Sequence, residues 1–204
     1  SNVPHYASEA NTQPGMPKYR DLNGDGVIDS NDRTVIGNGL PKHTGGFTNN
    51  FNYRDFDLSI FFQWSYGNDV LNANRLMFES SWNRTRELNQ YASYAERWTE
   101  SNPTSNIPRA TSSSSNRVFS SRIIEDGSFL RLKTVTLGYT VPRKMISRVG
   151  IEQLRVYFAA QNLFTISNYS GYDPEVSIRE SALTPGLDFS AYPRARSFSF
   201  GINL

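Results

Sequence analysis

Apolar and polar residues alternate along five stretches of this chain. Phe47, Asn49, Phe51 and Tyr53 take every second position, against Thr48, Asn50 and Asn52. After Arg54-Asp55, a second run sets Phe56, Leu58, Ile60, Phe62, Trp64 and Tyr66 against Asp57, Ser59, Phe61, Gln63, Ser65 and Gly67. A third sets Val135, Leu137, Tyr139 and Val141 against Thr134, Thr136, Gly138 and Thr140. A fourth sets Leu154, Val156, Phe158 and Ala160 against Arg155, Tyr157, Ala159 and Gln161. The last sets Phe198, Phe200, Ile202 and Leu204 against Ser197, Ser199, Gly201 and Asn203. Successive side chains of a strand point to opposite faces, so each run predicts a strand with one apolar and one polar face. The expected fold class is all-β.

The connections between these runs alternate short and long. Arg54-Asp55 and the link around 142–152 are short, whereas 68–127 and 165–193 are long and rich in Asn, Ser, Thr and Pro. Soluble domains rarely carry such long irregular connections. Outer-membrane barrels do so regularly, with short periplasmic turns and long extracellular loops. Within 68–127, residues 87–98 suit a short helix and Ser112–Ser115 form a low-complexity run. No internal repeat is evident. The rival architecture is a soluble β-sandwich whose apolar faces form a core. Strongly aromatic faces and the regular placing of the long loops weigh against it.

Composition sharpens this contrast. Aromatics make up 13% of the 204 residues, yet the mean hydropathy is −0.54. No apolar run approaches the roughly 20 residues of a membrane-spanning helix. Strands that alternate between lipid and lumen dilute the hydropathy signal in this way. If the chain ends in the periplasm, the short turns lie there too, and residues 1–44 begin outside the cell. Tyr53, Phe56, Tyr66 and Tyr139, near strand ends, would then sit in the interfacial girdles. The net charge of +2 is small and the basic residues are scattered, which gives no case for nucleic acid. Cysteine is absent, so disulfides and thiol chemistry are excluded. The chain begins at Ser1 and shows no signal peptide, so a processed product or a piece of a longer protein is expected.

Residues 21–32 carry the sharpest chemical signal. Asp21, Asn23 and Asp25 supply side-chain oxygens at loop positions one, three and five. Gly26 stands where the backbone must turn, Val27 can offer its carbonyl, and Asp32 closes the loop. That is the spacing of a calcium loop, in which oxygens at alternate positions wrap a hard cation. The bland alternative is a polar turn whose glycines supply positive φ. Asp29 falls where such loops often act through water. Gly37, Gly39 and Pro41 stop any long helix after the loop, so it reads as a structural clamp on an extracellular segment rather than a signalling switch.

Catalysis finds little support. His5 and His43 lie in no metal-ligand spacing and beside no plausible nucleophile. Glu125-Asp126 and the pair Asp173/Glu175 fall in expected loops, where solvated charge is the default. Gly45-Gly46 precedes a strand, so it is no phosphate cradle. Trp82, Trp98, Tyr169 and Tyr172 are aromatic loop residues that can stack on a sugar or peptide, although such residues more often pack a long loop.

Several segments taken together resemble a known family. KYRDLNGDGVIDSNDRTVIGN (18–38), FDLSIFFQWSYGNDVLN (56–72), IEDGSFLRLKTVTLGYTVP (124–142), LRVYFAAQNLFTISNYSGYDPEV (154–176) and TPGLDFSAYPRARSFSFGINL (184–204) resemble the C-terminal part of SusC/RagA-type TonB-linked outer-membrane transporters of the Bacteroidetes. The resemblance implies a barrel of about 22 strands around an N-terminal plug. It implies a SusD-like surface lipoprotein as lid, and TonB acting through the plug. The implied activity is import of oligosaccharides or peptides, not enzymatic. The implied place is the Gram-negative outer membrane, with loops extracellular and outer-membrane lipid around the wall. The calcium loop carries over onto Asp21, Asn23, Asp25, Val27 and Asp32, with Ca2+ as the ion. Residues 1–44 would be the extracellular segment bearing the loop, and 45–204 the last barrel strands with their loops. Five strands fall short of the roughly eight of the smallest barrels. Open edges in lipid would leave backbone groups unsatisfied at several kcal/mol each. The chain is therefore expected to be a C-terminal fragment accompanied by the rest of its barrel. Members of this family usually end on an aromatic residue, so at Leu204 the terminus is expected to be trimmed or to lack its last residues. Two further readings remain: a passive oligomeric pore, and a soluble calcium-stabilised binding module.

Overall fold

The five alternating runs pair in sequence order. The computed structural model describes residues 4–6, 12–80, 89–111, 118–147, 150–176 and 185–204. Its strands are β1 (His5–Tyr6), β2 (Val27–Ile28), β3 (His43–Tyr53), β4 (Phe56–Tyr66), β5 (Asp69–Asn72), β6 (Ile124–Asp126), β7 (Phe129–Thr140), β8 (Arg155–Ser167), β9 (Leu187–Asp188) and β10 (Ser197–Asn203). Two short helices, α1 (Ala73–Phe78) and α2 (Arg143–Ile146), lie between them. The fold is thus mostly β.

The clustering of backbone contacts divides the chain into two units. One comprises 39–70, 125–186 and 191–204. It holds a five-stranded sheet in the order β10-β8-β7-β4-β3, antiparallel throughout. The β3–β4 hairpin turns on Arg54, at φ 54°, and Asp55. A positive φ in a two-residue turn matches the twist of the flanking strands. Asp55 also accepts a backbone hydrogen bond from Thr140 N–H at 2.8 Å, so the hairpin end is tied to β7.

Register explains why the alternation is broken in sequence. Leu130 and Leu132 pair with Trp64 and Phe62, and Val135 pairs with Ile60. The β4 residues share one face, so Leu130, Leu132 and Val135 do as well. The switch from even to odd positions is absorbed at Lys133, where the β4–β7 and β7–β8 ladders both shift. A bulge inserts a residue without moving the apolar set to the wrong face. On β8 the irregularity lies beside Asn162, at φ 53°. This corrects the sequence reading: β7 begins at Phe129 rather than Thr134, and β8 runs on to Ser167.

The other unit comprises 1–38, 71–124 and 187–190. Here β1 and β2 pair in parallel through His5↔Val27 and Tyr6↔Ile28. Leu71↔Leu187 and Asn72↔Asp188 form a second short parallel pairing, of β5 with β9. Among its described residues the buried apolar ones are Ile28, Leu76, Tyr94 and Ile123. The stretch 68–127 is therefore not the irregular loop expected. It carries β5, α1, β6 and a 3-10 turn at Ala92–Glu96. That turn is the helical part of the expected 87–98 helix. Residues 87, 88, Trp82 and Ser112–Ser115 lie outside the described residues.

Candidate functional site

The five-stranded sheet has two chemically opposite faces. Pairing aligns side chains into rows that cross every strand. One row reads Tyr53, Phe56, Tyr139, Val156, Ile202. The next reads Phe51, Leu58, Leu137, Phe158, Phe200, and a third Asn49, Ile60, Val135, Ala160, Phe198. Phe47, Phe62, Leu132 and Phe164 continue the series. Rings meet along the rows, stacked for Phe47–Phe62 and tilted for Phe158–Phe200, each at 4.9 Å between centroids. Yet Phe51, Leu137, Phe164, Ile202 and Phe200 are exposed, the last at 83%. A contiguous apolar surface of this kind marks a face built to meet another apolar phase.

The opposite face is polar. Arg155 Nε and Nη2 donate to Asp57 Oδ1 and Oδ2 at 2.9 and 2.5 Å, a fork that spans β4 and β8 across β7. Between them sits Gly138, whose Cβ would lie 2.4 Å from both partners. Lys133 Nζ donates to Gln63 Oε1. Higher on β7, Arg131 is 2% exposed and donates through Nη2 to Asp173 Oδ1 at 2.5 Å. Glu175 Oε1 meets Arg194 Nη2 at 3.1 Å. The pair Asp173/Glu175 was expected to be solvated loop charge, and the structure instead buries Asp173. The missed signal is Arg131 itself, a charge on the polar parity of a strand that needs a buried partner.

The 21–32 loop is bent by its own side chains. Gly24 N–H donates to Asp21 Oδ1 at 2.6 Å, and Gly26 N–H to Asp21 Oδ2 at 2.9 Å. Asp25 N–H donates to Asn23 Oδ1 at 3.0 Å, and Val27 N–H to Asp25 Oδ1 at 2.9 Å. Asp32 accepts from Leu22 N–H at 2.7 Å and Asp29 N–H at 2.9 Å, closing the loop. These two N–H groups hold the Asp32 carboxyl below its ordinary pKa. Gly26 has φ 85°, the left-handed turn expected at that position. The loop's last three residues, Ser30–Asp32, form a 3-10 turn, and residues 33–39 form no helix. The donor set is all oxygen and each carboxylate oxygen keeps a further lone pair, so its chemistry suits a hard cation. Among the described residues, however, no three His, Cys, Asp or Glu side chains converge to hold a metal.

The remaining candidates pack rather than react. Trp98 carries Arg109 over its ring at 5.4 Å and fills the space beside Gly15. Tyr169 is buried against Gly171, whereas Tyr172 is exposed. Glu125 accepts from Ser170 N–H and Oγ at 2.8 and 2.9 Å. His43 Nδ1 accepts from Trp64 Nε1 at 3.1 Å, and its ring stacks on Tyr66. In the other unit, Arg75 and Arg122 both reach Glu79 Oε2, at 3.1 and 2.9 Å. Burial lowers the Arg122 pKa, and Glu79 opposes that shift. Burial, with Tyr6 nearby, pushes the Tyr19 phenol up to about 12.

Comparison with known proteins gives a consistent result. The chain is 34% identical over 198 residues to TonB-dependent receptor P3 of Formosa agariphila, covering 95% of this chain and 19% of that protein. It is 37% identical over 195 residues to TonB-dependent receptor P26 of the same organism, at 93% and 19% coverage. TonB-dependent receptor SusC of Bacteroides thetaiotaomicron is 30% identical over 198 residues, at 96% and 18%. Among solved structures, the RagAB peptide transporter matches with a TM-score of 0.73 at 26% identity, covering 89% of this chain and 20% of that one. The RagAB peptide importer in its closed-closed state gives 0.72 at the same identity and coverage. No family model matches. The chain spans about a fifth of the length of the relatives it matches.

Proposed function

From a chain that belongs to the SusC/RagA-type TonB-dependent receptors, which are transporters and not enzymes, we propose a section of importer wall. Its five strands are the last of a large outer-membrane barrel, with the apolar face toward lipid and the polar face toward the plugged lumen. The observation that carries this reading is the set of apolar rows crossing all five strands above a polar reverse face. Lipid needs every backbone group paired. Strands β3 and β10 end the sheet, and in this reading they continue into the rest of the barrel. The cargo is an oligosaccharide or a peptide. A SusD-like surface lipoprotein closes the outer mouth, and TonB acts through the plug. Residues 1–44 are extracellular, as are 68–127 and 165–193.

Calcium is the second part of the proposal. Asp21, Asn23, Asp25 and Asp32 side chains and the Val27 carbonyl would hold Ca2+. The ion would supply cross-linking charge to an extracellular segment and no chemistry. The all-oxygen donor set, already turned by Gly24 and Gly26, supports this.

Peptide mass mapping of the detergent-extracted native particle tests the reading. These peptides should occur in a particle that also holds a plug-bearing polypeptide and a lipoprotein. A particle holding only copies of this chain would favour a self-assembled pore. Extraction without detergent would favour a soluble calcium-stabilised module.

A further inference from the structure

We propose that Arg131 and Asp173 form a strap that pins both ends of the last long connection, 168–196, onto the polar face of β7. The idea rests on the importer reading for its meaning, because the pinned segment would frame the outer mouth. The geometry itself is independent of that reading. One carboxylate staples three pieces of chain. Asp173 Oδ1 accepts from Arg131 Nη2 at 2.5 Å and from Glu175 N–H at 2.9 Å. Its Oδ2 accepts from Arg194 N–H at 3.3 Å. Residue 173 lies shortly after β8 and residue 194 shortly before β10, so the two ends of the connection meet on one side chain. The Glu175–Arg194 ion pair, at 3.1 Å, adds a second bridge between those ends. Arg131 Nη1 faces Glu175 Oε2 at 3.7 Å, and its guanidinium lies over the Phe129 ring at 5.4 Å.

Energetics favour placement over bulk stability as the role of this network. Burying an ion pair gains little over packing apolar groups of the same volume, whereas removing one partner strands a charge. What a buried pair adds is a single geometry, because neither charge tolerates an alternative neighbour there. Tyr172 and Tyr192 flank the pinned residues and are exposed, at 79% and 92%. Tyr172 is a ready cleavage site for chymotrypsin, provided the backbone around it can leave the wall, whereas Pro193 blocks cutting after Tyr192.

Chymotrypsin is therefore the probe, applied to the full-length transporter in outer-membrane vesicles. Arg131→Met keeps the volume and removes the charge. It should speed cutting after Tyr172 by at least about tenfold, because cleavage follows the population of the released segment. The heat-modifiable gel mobility of the barrel should stay unchanged. Arg131→Lys, which keeps a positive charge beside the Asp173 carboxylate, should retain most of the protection. Equal cutting of Arg131→Met and the native protein would overturn the strap. So would an Arg131→Lys variant that assembles normally yet is cut as fast as Arg131→Met. Neither readout depends on cargo, so failure of the importer reading would show in the particle composition and not here.

Discussion

A charge placed on either side of β4 should have sharply unequal consequences. Strand β4 has 11 residues, about 35 Å of chain at roughly 3.3 Å per residue. Tilted by about 45°, it spans about 25 Å, the height of the apolar band of an outer-membrane barrel. Phe62 lies one residue from its centre and on the apolar face, stacked on Phe47 at 4.9 Å. Phe62→Lys places an ammonium near the midplane, at a cost of about 2–4 kcal/mol. Loss of the ring pair adds about 0.5–1.5 kcal/mol. Together these reach about 3–5 kcal/mol, more than a hundredfold in an equilibrium. Ser59 points to the opposite face, where Lys meets polar neighbours and costs within about 0.5 kcal/mol. The assay is the fraction of full-length protein running as the heat-modifiable barrel after assembly in vivo or refolding into liposomes. Phe62→Lys should lose most of that fraction, and Ser59→Lys should retain it. Equal assembly of the two variants, or loss confined to Ser59→Lys, would refute the facing assignment.

Other predictions reach different parts of the chain. EDTA should increase protease cutting within 15–45, and Asp21→Ala with Asp25→Ala should reproduce that without blocking barrel insertion; equal cutting with and without EDTA in the native protein would argue against calcium. Asp32 has a lowered folded pKa, so its contribution is present above the ordinary Asp value of about 3.9 and fades as pH falls through the lower folded value. Amide exchange at Leu22 and Asp29 should therefore accelerate only below about pH 4. Tyr19 has a raised pKa near 12, so its buried phenol stabilises fully below the ordinary Tyr value of about 10 and is lost as pH rises through 12. Its ultraviolet ionisation should appear above the ordinary Tyr range. Gly201→Ala would place a Cβ 2.2 Å from the Tyr157 ring, and should cost about 1–3 kcal/mol, read as a lower temperature for loss of the barrel band.

Strand existence was legible because period-2 alternation survives even when every second residue is exposed. The run from Phe56 to Gly67 predicted β4 to within one residue, and Arg54-Asp55 predicted its hairpin. The ends of β7 and β8 were not legible. A bulge at Lys133 shifts the phase, so Leu130 and Leu132 look out of step with Val135 until β4 is laid beside them. The 68–127 segment was opaque for another reason. β5 and α1 span four and six residues, too few for a period to emerge. In the 21–32 loop, Gly26 and the alternating oxygens were readable because both belong to one local stretch. The Arg131–Asp173 pair was not, since 42 positions separate two charges that only the folded backbone brings together.

The central claim is that this sheet stands in the membrane with its apolar rows toward lipid. These 204 residues hold no cysteine, so single cysteines at 134–137, 139 and 140, in full-length protein with any cysteine elsewhere replaced, report on this strand alone after spin labelling. The accessibility of each label to molecular oxygen and to a water-soluble nickel chelate is the measurement. The account predicts oxygen maxima at 135, 137 and 139, with chelate maxima at 134, 136 and 140. Uniform chelate access along the run, or oxygen maxima at the even positions, would contradict it.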